Sequence, residues 1–567
     1  MYETKPWLKH YGDVPRSMEF PRTSMYEVVM KTAAERSDYT AYDFMGVTAT
    51  YREFAAEIDT YANMLAALGL RKGDRITIAM PTSPPGIVAF YAANKLGAVS
   101  NMIHPLSTQA EVEFYINKSQ SKMALTLDMF FEVFEPLLER TGLETLIIAK
   151  IQDYLPAHLK SLYWIKAGRK NSKVRETQNV KLLGNLLKMR FPAVDPPKLG
   201  PDDLAVILYS GGTTGKPKGV MLSNYNFVAS GQMVGLWAGL DPNYPRMLAV
   251  LPLFHGFGLG VCINTVLMSG GNCIMVPVFN PDQIAKLINK KKPNYLIGPP
   301  TLFAALNRSS KFQKTDLSCL RAAFSGADTL PLQVKQQFDS IVERQGGHVK
   351  LLEGYGLAEA IGAIILTPFE GYRPNSIGVP LPEMEAKIVK FGTVEEASIG
   401  EEGEICASGP AVMLGYLDEP NETADTLRVH DDGKTWLHSG DVGTMDTDGY
   451  FYFRNREKRM IKSSGICVYP SEVEARLYQH ESVEEVCVIG VPDEYQVERV
   501  KAFVVLRHKV EATPAKAEEL IAHCRKQLIK WSCPREVEFL DELPRTRVGK
   551  IAYRELLENE LAKLKSI

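Results

Sequence analysis

The stretch Leu204 to Ser223, LAVILYSGGTTGKPKGVMLS, collects residues that suit a polyphosphate. Ser210, Thr213 and Thr214 supply hydroxyls. Gly211, Gly212 and Gly215 let backbone N–H groups come close to a ligand, and Lys216 and Lys218 add positive charge. It is not a Walker A loop, which would place Gly where Ser210 stands and Ser or Thr where Pro217 stands. The alternative for such a cluster is a glycine-rich hairpin whose lysines face water. Further along, Glu359 in EGYGLAE is a carboxylate suited to Mg²⁺. His255 in LPLFHGFGLG lies between aromatics and glycines, where a lone histidine is by default buried and satisfied.

The elements that must position these residues follow from the apolar pattern. Leu204 to Tyr209 is β-prone and the pattern resumes at Gly219 to Leu222, so the cluster reads as strand, loop, strand. From Tyr51, the residues Phe54, Ile58, Tyr61, Leu65 and Leu68 recur at helical spacing and end at Gly69. Arg75 to Met80 reads as a strand and Pro84 to Leu96 as a helix. This alternation predicts α/β layers with a largely parallel sheet. YLIGPPT from Tyr295, AAFSGAD from Ala322 and EGYGLAE from Glu353 each read as a buried strand running into a tight turn, where α/β folds carry functional loops. Gly- and Pro-punctuated β runs from Asn375 to Tyr416 predict a smaller β subdomain. The charged run from Arg456 marks a boundary, giving a large domain 1–457 and a small one 458–567. Strands at Val486 to Val491 and Ala502 to Arg507, with a helix at Ala515 to Leu528, make the small unit α+β.

Composition excludes several classes. With 45% hydrophobic and 23% charged residues and a formal net charge of −2, the chain lacks the basic excess of a general nucleic-acid binder. The opening MYETKPWLKHYGDVPRS has no apolar core of a secretory signal, and no stretch reaches the ~18 apolar residues of a membrane span. A cytoplasmic protein is expected. Its 8 cysteines are scattered without CxxC pairs or zinc spacing, so most are expected to be buried small hydrophobes. Residues 158–190 are different: nine Lys or Arg stand against the single acid Glu176. This is either a solvated surface excursion or a basic amphipathic segment making peripheral contact with anionic lipid.

In order, YSGGTTGKPKG, LFHGFG, SGAD, EGYGLAE, GEICASG, GYLDEPNET, HSGD, NREKRMIKSSGICVYPSEVE and PRTRVGK resemble the successive core motifs of the adenylate-forming (AMP-binding) superfamily. KPWLKHYGDVP and the DYLP stretch are similar to long-chain fatty acyl-CoA ligases. The resemblance implies a large N-terminal α/β domain with a β subdomain and a small, mobile C-terminal α+β domain. It implies activation of a carboxylic acid with ATP and Mg²⁺ to an acyl-AMP, then thioester formation with coenzyme A. Ser210 to Gly215 and Lys218 would hold the phosphates, and Glu359 the Mg²⁺. Ser325, Gly326 and Ala327 with Glu353, Gly354, Tyr355 and Gly356 would form the adenine slot. Asp441 would accept from the ribose hydroxyls, with Arg456 supporting ribose or phosphate. Lys550 would bridge the acyl carboxylate and the α-phosphate, His255 would gate the acyl-AMP junction, and Lys462, Ser463, Ser464 and Gly465 would face the incoming thiol.

Three positions depart from the family's pattern. Ala358 replaces a hydroxyl residue, and a lost hydrogen bond to a charged group costs about 1.5–3 kcal/mol. Asn455 replaces a Gly, at a position where a left-handed backbone is tolerated by Asn. Arg459 replaces an Asp or Lys at the hinge. None removes the lysine or either carboxylate, so activity is expected to survive. The resulting expectation is a fatty acyl-CoA synthetase, with CoA favoured as acceptor because no carrier domain is fused to the chain. The alternatives are an acyl-AMP ligase or adenylation enzyme loading a carrier protein, and a CoA ligase for an aryl or bile acid. Gly256 to Gly260 and Ile361 to Ile365 are small and apolar enough to line the acid's tunnel.

Overall fold

A computed structural model describes residues 5–156, 160, 174–210, 217–456, 459–463, 466–493, 497–508, 510–546 and 550–565. Among these, two large sheets and a smaller antiparallel one build an N-terminal domain, and a fourth sheet builds a smaller C-terminal domain. In the first sheet, Thr40–Phe44, Asn272–Met275, Arg246–Ala249, Tyr295–Gly298, Ala322–Ser325 and Leu351–Tyr355 run parallel, with short antiparallel strands at both edges. In the second, Arg75–Ala79, Val99–Met102, Met123–Leu127, Thr145–Ala149, Val180–Leu182 and Leu204–Ser210 are parallel. Lys218–Ser223 then turns back antiparallel. These strands read as continuous apolar runs because helices cover the sheet faces.

The local rules hold where they were legible. The helix Tyr51–Ala67 opens on a capping box formed by Thr50 and Glu53. It buries Phe54, Ile58, Tyr61 and Leu65, each contributing roughly 1.5–3 kcal/mol of apolar burial. Gly69 ends it at φ +102. The strand at Arg75 spans Arg75–Ala79 and the next helix Pro84–Lys95. Six of the cysteines (262, 273, 406, 487, 524 and 533) are buried and Cys319 is half-buried, none in a disulfide among the described residues.

Two expectations are corrected. Part of the basic stretch is not a surface excursion: Val180–Leu182 extends the second sheet and Leu183–Leu186 forms a short helix, burying Val180, Leu183 and Leu186. Residues 157–159 and 161–173, where most of the basic amphipathic pattern falls, lie outside the described residues. No described helix is long and apolar enough to cross a membrane. Asn455 lies in the strand Phe451–Arg456 opposite Val442, and it is absent from the positive-φ positions, so no left-handed backbone is called for there.

The small domain pairs Ile461–Ser463 with Ile466–Val468 and with the long hairpin Val483–Asp493 and Val497–Leu506; Glu536–Phe539 adds a parallel edge. Helices Pro470–Tyr478, Pro514–Arg525 and Tyr553–Lys565 complete the α+β unit. At its centre Lys501, 3% exposed, is held by Glu536, Glu538 and Glu560 at 2.7–2.8 Å. Glu560 belongs to the helix that follows Lys550, so this buried cation ties the Lys550 segment to the sheet.

Candidate active site

Lys218, which opens the strand antiparallel to Leu204–Ser210, brings charge to one end of the second sheet. Ser210 pairs with Lys218, and residues 211–216 between them, which include Gly211, Gly212, Thr213, Thr214 and Gly215, lie outside the described residues. Lys218 is 12% exposed on its side chain, forms an ion pair with Glu422 and lies 5.0 Å over the ring of Tyr416. The Tyr416 hydroxyl donates to Glu359 at 2.9 Å. One aromatic ring thus joins the lysine of the polyphosphate loop to the candidate metal carboxylate. Glu359 sits on a single 3₁₀ turn, Ala358–Ala360, and its backbone carbonyl accepts from Met413 at 2.8 Å. A lone, half-buried carboxylate oxygen fits Mg²⁺, which keeps most of its ligands as water and phosphate oxygens.

Of the residues expected at the nucleoside, Ser325 and Tyr355 lie at strand ends. The Tyr355 hydroxyl donates to Asp441 at 2.8 Å, and Asp441 is 2% exposed. Ser325 ends the adjacent parallel strand with its buried Oγ unpartnered among the described residues. Ala327 turns the chain at φ 75. A Cβ on Gly326 would lie 2.9 Å from the Gly354 carbonyl, so only glycine fits there. Gly356 packs as tightly, since a Cβ would come 2.1 Å from the Gly362 carbonyl. Glu353 alternates with Gly354 and takes the sheet face opposite to it. Burial pushes its carboxyl up to about 8, against the opposing pull of the Lys335 ammonium. Arg456 pairs with Asp441 across the strands.

On the other face an apolar cavity is lined by Phe257, Val261, Gly326, Gly354, Gly362 and Ala363, among others. It draws together the two small, apolar segments singled out above. Its free space of about 20 Å³ holds about one water, so an acyl chain requires the lining to shift. Phe257–Asn264 is a π-helix buried along its whole length, a conformation often found at functional sites.

His255 stands at the head of that helix, its Nδ1 accepting from the Phe257 N–H at 3.2 Å. Burial first, and then the charge of nearby Lys550, lower its pKa to about 4, leaving it neutral at physiological pH. Residues nearly three hundred positions apart, in different domains, are therefore neighbours. Lys550 is tied to Thr546, whose N–H donates to the Lys550 carbonyl at 2.7 Å and whose Oγ1 accepts the Lys550 N–H at 3.2 Å.

Contacts between the domains are polar. Arg308 pairs with Glu484, and the Tyr469 hydroxyl donates to Glu402 at 2.7 Å. Within the small domain, Arg459 bonds Glu474 at 2.8 Å and the Val488 carbonyl at 3.3 Å, and lies 4.6 Å from the Tyr553 ring. Of the residues expected to meet a thiol, Lys462 is exposed with its N–H on Glu498 at 2.7 Å. Ser463 is buried, and Ser464 and Gly465 lie outside the described residues. Sequence reasoning missed Tyr416, Glu422, Glu404 and His438 as individual residues, although all four lie inside motifs already quoted.

The fold defines the class. It matches crystal structures of the ATP-bound RpMatB-BxBclM chimera B1 (TM-score 0.83, 28% identity, 95% of this chain and 99% of that one) and of ATP-bound MatB from Rhodopseudomonas palustris (TM-score 0.81, 26% identity, the same coverage). The chain belongs to the AMP-binding enzyme family, whose description matches residues 29–417, with the AMP-binding enzyme C-terminal domain over 472–550. Similar curated proteins include the long-chain-fatty-acid–CoA ligases of Bacillus subtilis (strain 168), 37% identical, and of Escherichia coli O157:H7, 33% identical, each over 99% of both chains.

Proposed function

We propose that this protein is an AMP-forming fatty acyl-CoA ligase: fatty acid, ATP and CoA give acyl-CoA, AMP and pyrophosphate. The observation that carries the reading is that Lys550 lies near enough to His255 to act on it by charge, His255 standing at the head of the buried helix that lines the apolar cavity. A fatty carboxylate held there approaches the α-phosphate beside the Lys550 ammonium. The first step sets an anion against a polyanion, so preorganised positive charge is the main requirement.

Lys550 bridges the carboxylate and the α-phosphate as the new C–O–P linkage forms and pyrophosphate leaves. Lys218, with the loop hydroxyls of Thr213 and Thr214, stabilises that leaving group. Glu359 would hold Mg²⁺, which neutralises phosphate charge when bound. Asp441 receives the ribose hydroxyls, Tyr355 stacks on the base, and His255, neutral, closes the acyl junction. The domains meet near residue 458, and the small one then rotates to withdraw Lys550 and present Lys462 to Gly465 to CoA. We also propose peripheral contact with anionic lipid through the basic residues of 158–190 that lie outside the buried Val180, Leu183 and Leu186, tested by sedimentation with phosphatidylglycerol vesicles.

Pyrophosphate release is to be measured against acids from acetate to oleate, with benzoate and a bile acid. Release with the longer fatty acids, followed by CoA thioester, is the expected result; silence across the panel contradicts the reading.

A further inference from the structure

The strands Gly403–Ser408 and Thr435–Met445 fall out of register beside the nucleotide carboxylate. Glu404 pairs with Val442 and Cys406 with His438, so Ser439, Gly440 and Asp441 stand opposite Ile405 alone. Such a bulge re-aims a side chain, and here it takes Asp441 out of register with Gly403–Ser408, while its carboxylate meets Tyr355. Side chains close it. Glu404 Oε1 accepts the Gly440 N–H at 2.8 Å, and its Oε2 lies 2.6 Å from His438 Nδ1. Ser439 Oγ donates to the Ile405 carbonyl at 2.5 Å and accepts from Asp441 N–H at 3.0 Å. Gly440 takes φ +69, which favours glycine.

The prop is itself held. His438 Nε2 lies 2.9 Å from His430 Nε2, and the His430 ring stacks on Trp436 with centroids 5.7 Å apart. If His438 donates through Nδ1 to the carboxylate, its Nε2 is left to accept from His430 Nε2–H. His430 Nδ1 is buried without a partner among the described residues, as the bare nitrogen of that tautomer would be.

We infer that Glu404 is a positioning residue for nucleotide recognition, setting where Asp441 points, and that His438 and His430 hold Glu404 for that task. The inference rests on Asp441 being the acceptor of the ribose hydroxyls. A packing residue of the β subdomain would affect both substrates alike; a residue that aims Asp441 affects the sugar.

The test compares kcat/KM for ATP with that for 2′-deoxy-ATP and 3′-deoxy-ATP in acid-dependent pyrophosphate release, alongside KM for the acid and thermal unfolding. Glu404→Ala is expected to raise KM for ATP about ten-fold with KM for the acid unchanged, and to erase most discrimination between ATP and its deoxy forms. Glu404→Gln keeps an acceptor for Gly440 and should retain most of the discrimination. Glu404→Asp keeps the charge but is too short to reach both partners, so it should lose discrimination even if the alanine variant fails to fold. Discrimination kept in a folded Glu404→Asp or Glu404→Ala overturns the inference alone. A wild type indifferent to both hydroxyls overturns the Asp441 reading and this inference with it.

Discussion

Asp441 stands within an antiparallel sheet, 2% exposed, with the Tyr355 hydroxyl on its carboxylate and its N–H on Ser439. Lys550 instead belongs to another domain, whose described anchors on the large domain include an ion pair, Arg308 with Glu484, exposed at 51% and 32%. An exposed pair of that kind contributes about 0–1 kcal/mol. The carboxylate proposed to read the nucleotide is fixed within a sheet, whereas the lysine proposed to join the two substrates belongs to the other domain. A site built this way suits a reaction in which the nucleotide stays put between half-reactions while the lysine must leave.

Substitutions at the rigid side should act on ATP and spare the second half-reaction. Asp441→Asn should lower kcat/KM for ATP by about 10- to 150-fold, the range for losing a hydrogen bond to a charged group. Lys218→Ala should cost about ten-fold in KM for ATP, less than Asp441→Asn because the loop donates other groups to the same phosphates. A comparable rise in KM for CoA in either variant would blur the division between the two regions.

Glu353 sharpens it through pH. Its folded-state pKa of about 8 lies above the ordinary 4.5, so the folded protein holds a proton that the unfolded chain releases between those values. Stability from this group is present below about pH 4.5 and is lost as pH rises toward 8, at a limiting slope of about 1.4 kcal/mol per pH unit. Glu353→Gln should therefore melt progressively higher than wild type as pH rises from 5 to 8, measured by calorimetry; parallel curves would contradict the assigned burial. The smallest effect is expected at the domain contact, where Arg308→Ala should shift the ratio of the two half-reaction rates by about five-fold at most. A larger loss of acyl-AMP formation would mean that Lys550 is held more firmly than its exposed contacts indicate.

Strands and helices were legible in sequence wherever an apolar period was clean, as at Tyr51–Ala67 and Leu204–Ser210. The candidate site residues were proposed from the sequence one motif at a time. What the sequence did not show was how the motifs touch. Tyr416 meets Glu359 57 positions away and His438 meets Glu404 34 away, and neither pair has a periodic signature. Phe257–Asn264 is apolar all round, so its pattern carries no phase from which a π-helix could be read. Residues 180–186 were masked by basic neighbours, although Val180, Leu183 and Leu186 supply the burial that decides their place.

The most direct test of a fixed nucleotide site and a departing lysine uses Lys550→Ala in the two half-reactions separately. Acid-dependent exchange of pyrophosphate into ATP should fall at least about 100-fold, the order of removing a preorganised transition-state donor, while CoA thioester formation from supplied acyl-AMP stays near the wild-type rate. Equal loss of both half-reactions would contradict the division, because Lys550 would then serve the site in both.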